Sequence, residues 1–183
     1  MPWNHVALAT TDIEATHRFY TEVMGFRLAK VVAAPTPRRG DGWSRHVFYD
    51  CGGGEMIAFW DIHDPKIPVT STDISRGLGL PDWVNHLAWD ATDEPTYQAH
   101  LQRWRAHGIT AAEVDHGFCK SIYATDPNGI TVEFCLMTRE LGPDDEAEAH
   151  RQLFAEMPDL EDVPGVVFHE PTAPTPAAPA TPV

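Results

Sequence analysis

Ile122-Tyr123-Ala124-Thr125-Asp126-Pro127-Asn128-Gly129-Ile130-Thr131-Val132-Glu133 is the stretch on which the fold turns. A β-branched, apolar run enters Asp-Pro-Asn-Gly, and a second such run leaves it and ends on a carboxylate. Pro127 presets φ at the second turn position and Gly129 accepts a positive φ, so the segment predicts a tight turn between two strands. Side chains alternate between faces along a strand, which puts Glu133 on one face with Thr131 and Cys135. A bare carboxylate in an apolar strand is costly, and that marks Glu133 as a residue with a task. His116 stands just upstream, after Val114-Asp115.

Working outward, the hairpin closes the second of two diverged copies of one pattern. The first copy opens with the strand Asn4-His5-Val6-Ala7-Leu8-Ala9. Asp12 then reads as a helix N-cap with Glu14 in the first turn. Ile13, His17, Tyr20 and Met24 fall near one helical face, and Gly25 ends the helix. Strands follow at 26–33, 45–50 and 55–60, the last two joined by the turn Cys51-Gly52-Gly53-Gly54. The second copy opens with Val84-Asn85-His86-Leu87-Ala88-Trp89. Asp93 is its cap, Pro95 sits in the first helical turn, Tyr97, Leu101 and Trp104 share a face, and Gly108 stops the helix. Strands follow at 109–114, 118–125 and 130–136.

The expected fold is therefore α+β: two tandem βαβββ modules forming a curved mixed sheet around a metal-binding cavity. The modules span 1–66 and 83–138. Residues 67–82, with Pro68, Gly77, Gly79 and Pro81, read as a linker. Residues 139–170 form an acidic segment in which Asp144 to Met157 can make a short helix. Residues 171–183 are only Pro, Ala, Thr and Val, the composition of a disordered tail.

The chain has 183 residues and a net charge of −14. Residues 140–170 hold ten acidic residues against the single basic Arg151, so most of the acidity belongs to the C-terminal segment. With no basic stripe to neutralise phosphates, nucleic acid is not an expected partner. Cys51, Cys119 and Cys135 show no CxxC spacing, which disfavours a disulfide framework and suits a reducing cytoplasm. No apolar run approaches the roughly 18 residues that span a membrane. The start Met1-Pro2-Trp3-Asn4-His5 has no signal-peptide pattern, so a cytoplasmic location is expected.

The two copies place His5 and His86 at matching positions. Small residues follow each on its own face, Ala7 and Ala9 after His5 and Ala88 after His86, which leaves room beside the imidazoles. With Glu133 they offer two imidazoles and one carboxylate. That set holds Fe(II) in facial-triad enzymes, and it also suits Zn, Mn, Ni or Co. The residue matching Glu133 in the first copy is Ala58.

His116, five residues, Ile122-Tyr123, two residues, Asp126-Pro127, one residue, Gly129, three residues and Glu133 together resemble the signature of extradiol ring-cleaving dioxygenases. Over about residues 3–138 the chain is similar to the vicinal oxygen chelate superfamily, which also includes glyoxalases, epimerases and the fosfomycin and bleomycin resistance proteins. The resemblance implies His5, His86 and Glu133 as metal ligands, Tyr123 as a donor to a substrate oxygen and His116 as its second-sphere partner. It implies a divalent metal, Fe(II) by preference, an Fe(II)-dependent dioxygenase acting on an aromatic or catecholic small molecule, and a homodimer. Two positions depart from the family pattern. Ala58 stands where glyoxalase-type members have a fourth ligand. Glu55 stands where extradiol dioxygenases have an acid–base histidine, which leaves Glu55 and His46 as candidates for moving the proton. Trp43, Phe48, Trp60, Trp83 and Trp89 suggest an aromatic-lined pocket, and Arg38 and Arg39 a contact for a substrate carboxylate. The alternatives are a metal-dependent isomerase, epimerase or lyase that stabilises an enediolate, and a binding protein with no chemistry.

Overall fold

A computed structural model describes residues 3–37 and 40–172. The expectations for Arg38 and Arg39, and for the tail from residue 173 on, lie outside the described residues. The chain packs as two compact units. Among the described residues, one holds the chain up to Leu87 together with Ala124–Val132, and the other holds Ala88–Tyr123 and 133–172.

The first unit begins with β1 (His5–Thr10) and α1 (Ile13–Arg18), followed by β2 (Arg27–Pro35), β3 (Trp43–Gly52) and β4 (Glu55–His63). They make a mixed sheet in the order β1-β4-β3-β2, with β1 parallel to β4 and the other pairs antiparallel. Asp12 caps α1 as expected, accepting from Ala15 N–H at 2.9 Å. The helix does not run unbroken to Met24. From Phe19 to Val23 it widens into a π-helical turn, in which Met24 N–H reaches Phe19 O at 2.9 Å. The wider turn carries two adjacent pairs inward, Phe19 with Tyr20 and Val23 with Met24, and all four are buried. Gly25 follows at φ 79°, the left-handed residue that lets the chain leave for β2.

Tyr20 is the hub of this unit. Its ring packs on Phe59 at 4.8 Å and on Tyr49 at 5.9 Å. Its hydroxyl donates to Asp126 Oδ2 at 3.0 Å. The Asp126-Pro127-Asn128-Gly129 turn is therefore not a surface feature: Asp126 is 4% and Asn128 5% exposed. Asp126 also accepts from the backbone N–H of Asn128 and of Ile130, each at 2.8 Å, and from Asn128 Nδ2 at 3.0 Å. Asn128 Nδ2 donates further to Thr16 Oγ1, which meets Thr10 Oγ1 at 2.8 Å. Gly129 has φ 82°, and a Cβ there would stand 2.9 Å from an Asp73 carboxylate oxygen, so the position excludes a side chain twice over.

The second sheet has the order β5-β8-β7-β6-β9, from β5 (His86–Asp90), β6 (Ala111–Asp115), β7 (Cys119–Thr125), β8 (Thr131–Met137) and β9 (Val166–His169). In the second unit α2 (Glu94–Ala106) buries Tyr97, Leu101 and Trp104, and Asp93 caps it through Thr96 N–H at 2.8 Å. His100 of α2 stacks on Phe134 at 3.6 Å, and Trp104 lies 5.5 Å from the same ring.

Two sheets thus replace the one curved sheet around a cavity that the repeat suggested, and neither closes on itself. The acidic segment forms α3 (Pro143–Leu153), which stops before Phe154 and Met157. The segment then ends in β9, a strand absent from the sequence reading. β9 pairs antiparallel with the β6 edge, and Arg105 fastens its end through Glu170 O at 2.9 Å. Among the described residues, no helix is long and apolar enough to cross a membrane.

Two outcomes test this packing. Tyr20→Phe removes a hydrogen bond to a buried carboxylate and should lower the unfolding free energy by about 1–3 kcal/mol in urea titration; unchanged stability would show that Asp126 does not depend on it. His100 is held neutral, its pKa pushed down to about 4 by burial and then by Arg103. A histidine with a depressed folded pKa contributes stability above its unfolded value, near 6.5, and loses it as pH falls toward 4. The urea midpoint should drop across that window, and His100→Phe should flatten the drop.

Candidate functional site

Backbone bonds at both ends of the β7–β8 hairpin set its register: Thr138 N–H to Phe118 O at 3.0 Å and Asp126 N–H to Ile130 O at 2.9 Å. Tyr123 then stands opposite Glu133, and Ser121 opposite Cys135. Glu133 is 5% exposed, and Ser121 Oγ donates to its Oε1 at 2.5 Å. Tyr123 Oη lies 3.0 Å from His116 Nε2. Burial, partly offset by a hydrogen bond with Ser121 and reinforced by the charge of Glu133, pushes the Tyr123 phenol up to about 12. It is therefore a hydrogen-bond donor throughout the working pH range. One face of this hairpin thus brings together Glu133, Ser121, Tyr123 and His116. Of these, Ser121 was missed in the sequence. The available signal was its i−2 relation to Tyr123, which places both on one face of β7.

The first unit gathers a different set. His5 on β1 lies edge-on to His46 at 5.9 Å and to Phe48 at 5.3 Å. His46 on β3 stacks on Trp60 of β4 at 4.0 Å and meets Phe48 at 4.1 Å. Ala58, directly across from Ala7 on one side and Phe48 on the other, is fully buried among these strands. Its methyl leaves space for the His5 and Phe48 rings to approach. His46 Nε2 is buried with no hydrogen-bond partner among the described residues. Burial first, then His5, lowers the His46 pKa. Glu55 is not part of this cluster. Alternation along β4 puts it with Ile57 and Phe59, on the side that packs Tyr20, and puts Ala58 and Trp60 on the other.

Of the aromatic residues expected to line a pocket, Phe48 and Trp60 join His46. Trp43 stacks on His63 at 4.0 Å, Trp89 packs 6.3 Å from Phe134, and Trp83 is largely exposed.

The family's metal can be tested against the donors. His5 Nδ1 meets Asn4 Oδ1 at 2.7 Å, and His86 Nδ1 meets the Trp83 carbonyl at 3.2 Å. Both partners are oxygen acceptors, so each Nδ1 donates, and Nε2 is the ring nitrogen through which such an imidazole would coordinate. The donor chemistry fits a divalent ion. The gathering does not: among the described residues, no group of three His, Cys, Asp or Glu side chains is placed to hold one.

Residues 3–134 match the Glyoxalase/Bleomycin resistance protein/Dioxygenase superfamily, and the chain belongs to it. Solved structures share the fold at low identity. A glyoxylase/bleomycin resistance protein/dioxygenase domain from a Frankia species is 20% identical with a TM-score of 0.55, covering 75% of this chain and 98% of its own. Lactoylglutathione lyase from Agrobacterium tumefaciens is 22% identical with a TM-score of 0.50, covering 74% and 92%. A fosfomycin resistance protein from Listeria monocytogenes is 17% identical with a TM-score of 0.51, covering 75% and 94%. No curated protein matches the chain in sequence.

All four tyrosines have raised pKa values, each with burial as the first cause. Ultraviolet titration of the native protein should show no phenolate at pH 10.5, and the urea-unfolded chain should show it clearly. A native phenolate step near pH 10 would contradict the enclosure of Tyr123 or of one of its counterparts.

Proposed function

We propose that this chain is a glyoxalase-type isomerase or lyase that moves a proton at carbon next to a carbonyl of a small oxygen-bearing molecule. The observation that carries the reading is Glu133: a buried carboxylate oriented by the Ser121 hydroxyl, opposite a phenol that stays protonated. Glu133 takes the proton from carbon. Tyr123 donates to the oxygen where enolate charge develops, and His116 fixes the direction of the phenol. The lyase among the structural relatives supports a reaction of this class.

Ring cleavage, favoured by the sequence signature, is the weaker reading. The place of the dioxygenase acid–base histidine holds Glu55, on the side of β4 away from His46 and Trp60. None of the relatives above is named as an extradiol ring-cleaving enzyme. His5, His86 and Glu133 remain our proposed ligand set for a divalent ion, with His46 close to His5 as a further imidazole. When bound, such an ion supplies Lewis-acid polarisation of substrate oxygens. On the resemblance to the superfamily we also propose that the chain acts as a homodimer.

The test is solvent exchange. The protein is incubated in D2O with a panel of 2-hydroxycarbonyl compounds, and C–H loss is followed by NMR. The wild type should exchange at least one of them. Glu133→Gln should lose about 100-fold or more, and Tyr123→Phe about 10–100-fold. Oxygen consumption with catechols, and no exchange with any compound, would reverse the assignment. Metal analysis after anaerobic purification should find a divalent ion that is lost in His5→Ala and in His86→Ala; an equal metal content in these variants would remove both residues from the ligand set.

A further inference from the structure

β9 lies at Val166–His169, beyond the residues 3–134 that match the superfamily. Its register shows what it adds to the sheet. On β6, Ala112 pairs with Phe168 of β9 on one side and with Tyr123 of β7 on the other. Val114 pairs in the same way with Val166 and Ser121. Residues paired across strands share a face. With Glu133 opposite Tyr123, one row therefore runs Phe168, Ala112, Tyr123, Glu133, and a second runs Val166, Val114, Ser121 beside it. The charged residues of β6 and β9 go to the other face. There Glu113 pairs with Val167 and lies 3.3 Å from His169 Nε2, and Asp115 pairs with Lys120, whose ammonium sits 5.5 Å from the Tyr97 ring of α2. Charge is thus turned toward the helix side and hydrocarbon toward the side of Glu133, where Phe168 is 66% and Val166 49% exposed. Alternation in a half-covered sheet runs the other way when its only task is to bury hydrocarbon.

We propose that Phe168, with Val166 and Ala112, forms an apolar subsite that selects substrates carrying an aromatic group beside their two adjacent oxygens. The inference rests on the reading of Glu133 and Tyr123 given above. Oxygens received at Tyr123 and Glu133 leave the remainder of the substrate beside a strand that offers only hydrocarbon on this face. Ala112 is half-buried and carries a single methyl, so the face is low between the rings of Tyr123 and Phe168. Neighbouring strands lie about 4.8 Å apart, and a phenyl group lying over Ala112 meets Phe168 at the far side. The strand is fixed before any ligand arrives: Arg105 Nε donates to Glu170 O and Thr172 N–H to Arg105 O, each at 2.9 Å. Such preorganisation lets apolar contact appear as affinity.

The probes are acetohydroxamate and benzohydroxamate, which share their vicinal oxygens and differ in a methyl against a phenyl group. In calorimetric titration the wild type should bind benzohydroxamate about tenfold or more tightly than acetohydroxamate. Phe168→Ala should remove most of that preference and leave acetohydroxamate binding unchanged. Ala112→Leu fills the low strip without altering β9, and should weaken benzohydroxamate alone. Glu133→Gln should weaken both probes alike. Equal affinities in the wild type, or a preference that survives Phe168→Ala and Ala112→Leu, would overturn the subsite and leave the reading of Glu133 standing. Binding of neither probe would overturn that reading, and the subsite with it. A dimer that Phe168→Ala dissociates in sedimentation, with the preference unchanged, would assign Phe168 to a contact between two copies and overturn the subsite as well.

Discussion

The Asp126 carboxylate is the group the first unit is built around. It lies in the interior without a cationic partner among the described residues, and it is tolerable there because Tyr20 Oη, the Asn128 amide and two backbone N–H groups converge on it. Burial raises its pKa even against those donors. The same contacts set the position of the Ala124–Val132 turn, and the turn starts the ladder that aligns Tyr123 with Glu133. A polar group that is expensive to bury has thus become the reference point from which the hairpin measures its register.

Much of this architecture could be read from local patterns. Asp12 and Asp93 cap their helices, Tyr97, Leu101 and Trp104 form one buried face, and the strands of both copies fall close to where periodicity puts them. These features rest on neighbours within a few residues. What escaped was set by partners far along the chain. The π-helical turn exists because both Phe19–Tyr20 and Val23–Met24 must face inward, and nothing in a period of 3.6 announces that. β9 is four residues long and is a strand only because the β6 edge receives it. The tight turn at Asp-Pro-Asn-Gly was legible, but its burial depends on Tyr20, more than a hundred positions earlier.

The candidate site divides in the same way. Glu133 was legible as an anomalous charge in an apolar strand, and Tyr123 and His116 as its companions. Ser121 was missed because its i−2 relation to Tyr123 gives only a shared face, and its role needs the contact with Glu133 on the neighbouring strand to be known. Glu55 was judged by its place in the strand order, but alternation along β4 sets it with Ile57 and Phe59. His46, judged a substitute, is enclosed with His5, Phe48 and Trp60. His5 and His86 share an engaged Nδ1, a likeness between the repeat copies that only the structure reveals.

The central claim is that Glu133 and its hydrogen-bonded neighbours receive the two adjacent oxygens of a small substrate. Its most direct test is calorimetric titration with acetohydroxamate, which presents vicinal oxygens in the planar arrangement of an enediolate. Wild type should bind it, and Glu133→Gln and Ser121→Ala should each weaken binding about tenfold or more, the loss of one charge-assisted contact. Equal affinity in all three proteins would contradict the assignment of the site to this face of the hairpin.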